Sequence, residues 1–282
     1  MITALKTSPR FRRLNVIWEL PETWCETEHI SRALEELERQ FAAHGLAERF
    51  IFVVTSRADQ LPLKHRDRVI VVQTSDEAHE VPDYVDDVFM IFKNYRPFAP
   101  APGNLRIIPL GCNKDVPAVE PRPMAERSVD LFFIGRPEYR DDFFAAARLL
   151  SSRRDLMARI SAGPSFREGM APEIYGATLA DTKIALSPRG VSHETFRTYE
   201  ALRAGCAVIA ARHLPAWFTD GWPVIEVDDW RALPELADTL LGDPARLESL
   251  SRLGLEWWRA MCSPEAVGRY MAREIVGRLK AI

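Results

Sequence analysis

One segment of the sequence, residues 187–206 (SPRGVSHETFRTYEALRAGC), combines residue types that suit a phosphorylated nucleotide. Arg189 and Gly190 follow an apolar run that predicts a strand, and a helical pattern begins just after them. Free N–H groups at the start of a helix, with an arginine beside them, favour diphosphate binding. Arg197 and Glu200 lie three residues apart and share one helix face, where the arginine can meet phosphate and the carboxylate can accept both ribose hydroxyls.

A simpler interpretation of the same spacing is a solvated ion pair between Arg197 and Glu200 on the helix surface. The helix is predicted over residues 193–204 with its start near Ser192. On a second stripe lie three apolar positions that we expect to anchor the helix to the core: Phe196, Tyr199 and Leu202. The spacing by itself leaves the ion pair and the ligand site open.

The wider sequence resembles the carboxyl-terminal half of exostosin-like glycosyltransferases, which have the GT-B fold. DTKIALSPRG is similar to that family's "SKFCLCPRG" segment, and RTYEALRAGC followed by AVI is similar to its "R-x-x-EAL-x-AGC-x-PVI". VIEVDDW resembles its "V-I-DW" signature, and FFIGRPEYR resembles its "F-F-x-G" strand with arginines after it. The resemblance covers roughly residues 131–230, and PRG together with EAL-x-AGC is more specific than either alone.

The resemblance implies a role for six residues of this chain in binding a nucleotide-diphosphate sugar donor. Glu200 would bind the ribose, and the diphosphate would contact Arg197, Arg189 and Arg136, with Arg140 assisting. Gly190 would allow the backbone to approach the ligand closely. For Arg136 a surface pairing with Glu138 is an equal alternative. Inverting GT-B enzymes need no bound metal, because the helix dipole and basic side chains stabilise the leaving group. The chain has no DxD motif, so neither a metal nor another cofactor is expected.

A general base that deprotonates the acceptor hydroxyl is expected in the first half of the chain, where the resemblance is weak. Asp76 and Glu77 follow the predicted strand RVIVVQ, and Glu19 stands at the end of the first predicted strand. A helix cap is the alternative for Asp76. Lys93 and Arg96, set among aromatic residues, are the candidates for acceptor contacts; the alternative for these aromatics is core packing.

Short apolar runs alternate with helical patterns along the chain, and this alternation predicts the elements that position these residues. Near-continuous apolar strands indicate sheets covered on both faces, which is the parallel α/β arrangement. We therefore expect an α/β fold with two Rossmann-like doubly wound domains facing a cleft. The predicted strands are residues 14–20, 50–56, 68–75, 88–95, 105–111, 129–135, 156–163, 183–188, 206–211 and 223–227.

The domain boundary is predicted at the proline- and charge-rich stretch 112–127, interpreted as a linker. Residues 1–115 would form an acceptor-side Rossmann-like domain. Residues 128–282 would form the nucleotide-sugar-binding domain, closed by the carboxyl-terminal helices. Ligands in open α/β sheets bind beyond the carboxyl ends of the strands, so a cleft between two such domains is a natural site.

Composition excludes several classes of protein. A net charge of -3 and a sequence pI near 6.1 argue against a general binder of nucleic acid. The four cysteines are far apart and fit reduced, buried thiols. The basic start of the chain lacks the apolar core of a signal peptide, and no apolar run reaches the ~20 residues of a membrane span. We expect a soluble, cytoplasmic protein, with peripheral membrane contact left open.

The sequence thus predicts a glycosyltransferase, inverting and metal-independent, with a UDP-type sugar donor and a hydroxyl of a glycan or glycolipid as acceptor. A retaining mechanism stays open because residue types do not fix stereochemistry. A nucleotide-sugar epimerase or hydrolase is an alternative, as is a non-catalytic subunit that binds the nucleotide sugar. The sugar, the acceptor and the oligomeric state are not specified by the sequence.

Overall fold

Each apolar run predicted as a strand belongs to one of two five-stranded parallel sheets. The structure, a computed structural model, describes residues 11–61, 63–163 and 170–281. It divides into unit 1 (Met1–Gly111, Ala216–Phe218 and Cys262–Ile282) and unit 2 (Cys112–Pro215 and Thr219–Met261). Part of the basic amino-terminal stretch, residues 1–10, lies outside the described residues.

The sheet of unit 1 has its five strands in the order of the sequence. They are β1 (Asn15–Trp18), β2 (Ile51–Thr55), β3 (His65–Gln73), β4 (Val88–Lys93) and β5 (Leu105–Ile107). Helix α1 (Thr27–Ala42) connects β1 to β2, and buries Ile30, Leu34 and Phe41 against one face of the sheet. On the other face Val53 and Val71 pack with Tyr84. Apolar groups thus cover both faces, as an all-parallel sheet requires.

The sheet of unit 2 has the order β10-β9-β8-β6-β7. Its strands are β6 (Val129–Gly135), β7 (Ala158–Ala162), β8 (Thr182–Ser187), β9 (Ala207–Ala211) and β10 (Val224–Val227). Its helices are α2 (Asp141–Ser151), α3 (Pro172–Ala180), α4 (Phe196–Arg203), α5 (Leu233–Leu241) and α6 (Pro244–Trp257). The chain runs from β6 to β7 on one side and then to β8 on the other side of β6. The direction of strand addition therefore reverses between β6 and β8, and such a switch point is where α/β sheets bind ligands.

The last helix, α7 (Pro264–Ala281), corrects the predicted domain division, because it belongs to unit 1. It packs along α1, where a β-carbon on Gly268 would lie 2.3 Å from the carbonyl oxygen of Ala33. Val267, Met271 and Ile275 complete the same core as the apolar face of α1. A helical pattern specifies an apolar face without specifying which sheet that face will cover, so the sequence did not reveal this partner.

The predicted linker is also corrected, since Cys112–Arg127 belongs to unit 2 and is packed against it. Arg127 is buried and donates hydrogen bonds to the carbonyl oxygens of Thr182 (2.7 Å) and Ala204 (3.2 Å). The prolines of this stretch disfavour helix and strand, but the stretch still packs against unit 2. Among the described residues, no helix has both the length and the apolar character needed to cross a bilayer.

Candidate functional site

The two loops that leave the switch point of unit 2 carry several of the predicted donor-binding residues. β6 ends at Gly135 and β8 ends at Ser187, and these strands are hydrogen-bonded neighbours. Arg136 and Arg140 follow β6, whereas Arg189 and Gly190 follow β8. Because parallel strands end at the same edge, the sheet brings the two loops together at that edge.

Arg140 and Arg197 form the centre of this site. Both guanidinium groups lie over the ring of Phe133, with their carbon atoms 5.6 and 5.2 Å from its centroid. Arg197 donates from Nε to the carbonyl oxygen of Ile134 at 2.9 Å, and Arg140 donates from Nη1 to that of Arg136. These contacts place two cations side by side at the carboxyl edge of β6.

Arg140 and Arg197 form no ion pair with a carboxylate in the part of the chain that the structure describes. Among the described residues neither guanidinium has a carboxylate within salt-bridge distance, and the buried Nε of Arg140 has no hydrogen-bond acceptor. Arg140 is only 6% exposed. Burial, together with the charge of Arg197, lowers the pKa of the Arg140 guanidinium to about 10. A buried guanidinium beside a half-buried one, with an unused donor on the buried one, is suited to binding an anion that has several oxygens.

Two glycines make room for these guanidinium groups. A β-carbon on Gly135 would lie 2.5 Å from Nη2 of Arg197 and 2.9 Å from Cζ of Phe133. A β-carbon on Gly190 would lie 3.2 Å from Nη2 of Arg140. The predicted role of Gly190 was close approach of the backbone to a ligand; in the structure its neighbour is Arg140.

Glu200 differs from the exposed carboxylate that its spacing predicted, because it is buried, with 4% of its surface exposed. Its Oε1 accepts from the backbone N–H of Asn113 at 3.1 Å, and its Oε2 accepts from the hydroxyl of Tyr175 at 3.0 Å. The pKa of Glu200 is raised above the ordinary glutamate value, because the effect of burial outweighs the opposing effect of the nearby Arg197. Each carboxylate oxygen has lone pairs for a further donor such as a ribose hydroxyl.

Sequence reasoning missed Tyr175 and Asn113. Tyr175 lies on α3, 25 positions before Glu200, and Asn113 lies in the stretch predicted to be a linker. No local pattern signals a partnership between residues so far apart in the chain; the folding of α3 and α4 onto one sheet creates it.

Helix α4 begins at Phe196, after Thr195, and not near Ser192 as predicted. The backbone N–H of Gly190 donates to the carbonyl oxygen of Ser192 at 2.9 Å in a turn before the helix, and residues 193–195, predicted as helical, are not helical. Ser187 hydrogen-bonds to the hydroxyls of Thr195 (2.9 Å) and Thr198 (2.8 Å) and ties the end of β8 to the helix. The predicted anchors Tyr199 and Leu202 are buried, and Phe196 is half-buried.

Arg136 and Arg189 are exposed, unlike Arg140 and Arg197. Arg136 forms a two-point ion pair with Glu138, at 2.9 and 3.0 Å, which is the alternative that the sequence offered. This pair raises the pKa of Arg136 and lowers that of Glu138. Arg189 donates to the carbonyl oxygen of Val191 at 3.3 Å and is exposed. Both side chains are in contact with solvent. An exposed ion pair such as Arg136–Glu138 contributes little stability, so Arg136 can leave Glu138 for another anion at a small cost in free energy.

In unit 1, Asp76 and Lys93 form a buried ion pair. Asp76 also accepts from the backbone N–H of Glu80 at 3.2 Å, within a turn. No helix begins there, so the helix-cap alternative for Asp76 is wrong. Lys93 is fully buried and its ammonium group contacts Asp76; its role toward an acceptor stays a prediction.

The remaining candidates of unit 1 are dispersed. Glu77 and Arg96 are exposed. Glu19 lies near Arg57, with 3.7 Å between Oε2 and Nε, and that oxygen is buried without a hydrogen-bond donor. Among the described residues, no group of three or more His, Cys, Asp or Glu side chains could hold a metal ion.

Known structures share this architecture at low sequence identity. Sucrose-phosphate synthase from Thermosynechococcus elongatus matches 99% of this chain and 83% of its own, with a TM-score of 0.53 and 14% identity. A glycosyltransferase from Rickettsia africae ESF-5 matches 93% of this chain and 84% of its own, with a TM-score of 0.50 and 10% identity. A chain of the GtfA/B complex matches 85% of this chain and 60% of its own, with a TM-score of 0.50 and 14% identity.

These neighbours are GT-B glycosyltransferases with two Rossmann-like domains, and the predicted α/β class with two Rossmann-like domains is thereby confirmed. No protein-family model matches the chain, and no curated protein matches it. The resemblance to exostosin-like enzymes stays a prediction.

Proposed function

We propose that the protein is a glycosyltransferase that binds a nucleotide-diphosphate sugar in unit 2 and transfers the sugar to a hydroxyl of a glycan or glycolipid. The observation that carries the proposal is the pairing of the buried Arg140 with the half-buried Arg197 at the switch point, without a carboxylate at salt-bridge distance among the described residues. The GT-B fold supports the same conclusion.

The chemistry follows from the charge that develops as the sugar is transferred. The bond between the anomeric carbon and the phosphate oxygen breaks, and its electron pair leaves with the nucleoside diphosphate. Arg140 and Arg197 would stabilise that negative charge, and the burial of Arg140 strengthens its interaction, since water screens a buried charge less. A metal-independent, inverting reaction is part of this proposal.

Glu200 and Tyr175 would form the ribose end of the same donor site. The carboxylate already accepts two hydrogen bonds and keeps lone pairs for the ribose hydroxyls, while Tyr175 fixes its orientation. A small cavity beside them is lined in part by Tyr175, Phe132 and Arg197. That the nucleotide carries uracil is also part of the proposal, and it is supported only by the resemblance to exostosin-like glycosyltransferases.

Nucleotide binding tests this function directly. Thermal shift with UDP-, GDP- and CMP-sugars is expected to select one nucleotide, because a ligand that binds the folded state raises its stability. Calorimetry with that nucleotide should then show a loss of ~1.5–3 kcal/mol in Glu200→Gln, the value of a hydrogen bond to a charged group. Glu173→Gln, an exposed change on α3, is the matched control.

Two results would contradict the proposal. The first is that no nucleotide diphosphate raises the unfolding midpoint. The second is that Arg140→Met and Arg197→Met bind the selected nucleotide as tightly as the wild type does. Rapid consumption of the donor without any acceptor would instead favour the hydrolase alternative.

A further inference from the structure

A second polar site lies at the carboxyl edge of the sheet of unit 1. Gln73 ends β3 and Thr74 follows it, Asn94 follows β4, and Glu26 precedes α1. The first three side chains are fully buried, and Glu26 is 5% exposed. Burial of so many polar groups at the edge where parallel sheets bind ligands calls for a physical reason.

Most of these polar atoms have no hydrogen-bond partner in the described part of the chain. Both amide atoms of Gln73 lack one, as do the hydroxyl of Thr74 and Nδ2 of Asn94. Buried polar groups in folded proteins are normally satisfied by protein, by ordered water or by a ligand. Amides and a hydroxyl offer donors and acceptors without net charge, which matches the hydroxyl groups of a sugar.

Glu26 is held at this edge through a strained residue, Ser75. The hydroxyl of Ser75 donates to Oε1 of Glu26, and its backbone N–H donates to Oδ1 of Asn94 at 3.1 Å. Ser75 has φ of 60°, in the left-handed region that non-glycine residues seldom adopt. Such strain persists where the surrounding structure enforces it, and it is concentrated at functional sites.

Glu26 is also chemically different from the other carboxylates of this edge. Asp76 is paired with Lys93, Glu77 is exposed, and Glu19 lies near Arg57. No cation of the described chain lies within salt-bridge distance of Glu26. Burial raises its pKa, the charge of Glu77 adds to this effect, and the hydrogen bond from Ser75 opposes it. A carboxylate in such surroundings is a stronger base than an exposed one.

We propose that the carboxyl edge of unit 1 formed by Glu26, Gln73, Thr74, Ser75 and Asn94 binds the hydroxyl-bearing acceptor and that Glu26 is the general base. Glu26 takes the proton of the acceptor hydroxyl, and the acceptor oxygen forms the new bond to the anomeric carbon. The bond from that carbon to the phosphate oxygen breaks, and the electron pair leaves with the nucleoside diphosphate. This assignment rests on the proposed transferase function and replaces Asp76, Glu77 and Glu19 as the expected base.

The experiment measures release of nucleoside diphosphate from the donor that the binding screen selects, with methyl glucoside, methyl galactoside and methyl mannoside as acceptor probes. Glu26→Gln should lower the turnover rate at least ~100-fold, the usual contribution of general base catalysis. Its dissociation constant for the nucleotide should stay within about twofold of the wild type, because the donor residues lie in unit 2. Glu22→Gln, an exposed change in the same β1–α1 loop, should leave turnover unchanged.

Ser75→Ala tests whether Ser75 acts on the catalytic carboxylate of Glu26 or only contributes to the stability of the fold. The hydrogen bond from Ser75 lowers the pKa of Glu26, so its removal should move the acidic limb of the kcat/KM profile to higher pH. In Glu26→Gln that limb should disappear.

Glu26→Gln turnover at the wild-type rate, or an acidic limb that is the same in all variants, overturns the assignment of Glu26 and leaves the transferase proposal standing. Absence of nucleotide binding in the wild type overturns the transferase proposal itself, and wild-type binding without release from any acceptor mixture overturns both.

Discussion

Tyr175 and Glu200 are joined by a hydrogen bond of 3.0 Å between two buried side chains of unit 2. Burial raises the pKa of both groups, and the charge of Glu200 raises that of Tyr175 further. The carboxylate is held by the hydroxyl of Tyr175 and the backbone N–H of Asn113, without a cation at salt-bridge distance among the described residues. The phenol is therefore an integral part of any ligand site that uses Glu200.

Tyr175→Phe should destabilise the protein, and more at pH 8 than at pH 5. The folded-state pKa of Glu200 is raised, so its ionisation costs stability as the pH rises above the ordinary glutamate value. The hydroxyl of Tyr175 stabilises the ionised form, and its loss should lower the free energy of unfolding by ~1–3 kcal/mol at pH 8. Urea unfolding at both pH values measures the difference. Tyr139→Phe, at an exposed tyrosine, is the control; an equal loss at pH 5 and pH 8 would contradict the prediction.

Gly135→Ala should weaken nucleotide binding. The new methyl group would lie 2.5 Å from Nη2 of Arg197 and 2.9 Å from Cζ of the buried Phe133, so both side chains must shift, and a loss of stability is expected as well. Displacement of Arg197 removes one of the two guanidinium groups from the anion site. We expect about a tenfold weaker affinity, which corresponds to ~1.4 kcal/mol, by calorimetry. Gly103→Ala, where a methyl group would meet nothing within 4 Å, should bind normally, and normal binding by Gly135→Ala as well would argue against the role of Arg197.

Lys93→Met should cost ~3–5 kcal/mol of unfolding free energy, because Asp76 then keeps a buried charge without its cation. The double variant Lys93→Met/Asp76→Asn should recover most of that loss. Lys64→Met removes a far more exposed ion pair, with Asp87 at 2.7 Å, and should cost less than ~1 kcal/mol. Urea unfolding of the four proteins decides the matter. If the double variant is no more stable than Lys93→Met, then the pair does not act as a unit.

Glu26→Gln should be more stable than the wild type at pH 8. The pKa of Glu26 is raised in the folded protein, so its ionised form is disfavoured there, and the wild type loses stability as the pH rises past the ordinary glutamate value. Glutamine keeps the shape without the charge. The advantage should therefore fade as the pH falls toward about 4.5, near the unfolded-state pKa. Thermal unfolding over this range tests it, with Glu22→Gln as the control expected to be neutral; a variant less stable than the wild type at every pH would contradict the argument.

Local patterns in the sequence account for much of the fold and for part of the candidate site. β6 has the predicted bounds, because a seven-residue apolar run that ends in glycine has few other conformations available. Spacing and the family resemblance predict a donor-binding role for the arginines after β6 and on α4; the structure brings Arg140 and Arg197 together, and that role stays a prediction. The start of α4 was misplaced, since a turn between Gly190 and Ser192 uses the polar residues that also suit a helix start.

The sequence by itself determined the parallel α/β class, the order of the elements and the residue types available at each strand end. The period of the apolar residues and the end of a strand depend on residues that are neighbours in the sequence, so both can be predicted from a short segment. Only the tertiary structure decided that Arg140 and Arg197 share the ring of Phe133, that Tyr175 reaches Glu200, and that α7 covers unit 1. It also decided that Lys93 is buried against Asp76, while no cation within the described residues lies at salt-bridge distance from Glu26. These relationships depend on strand order and on which faces meet, and neither is specified by the spacing of residues along a single element.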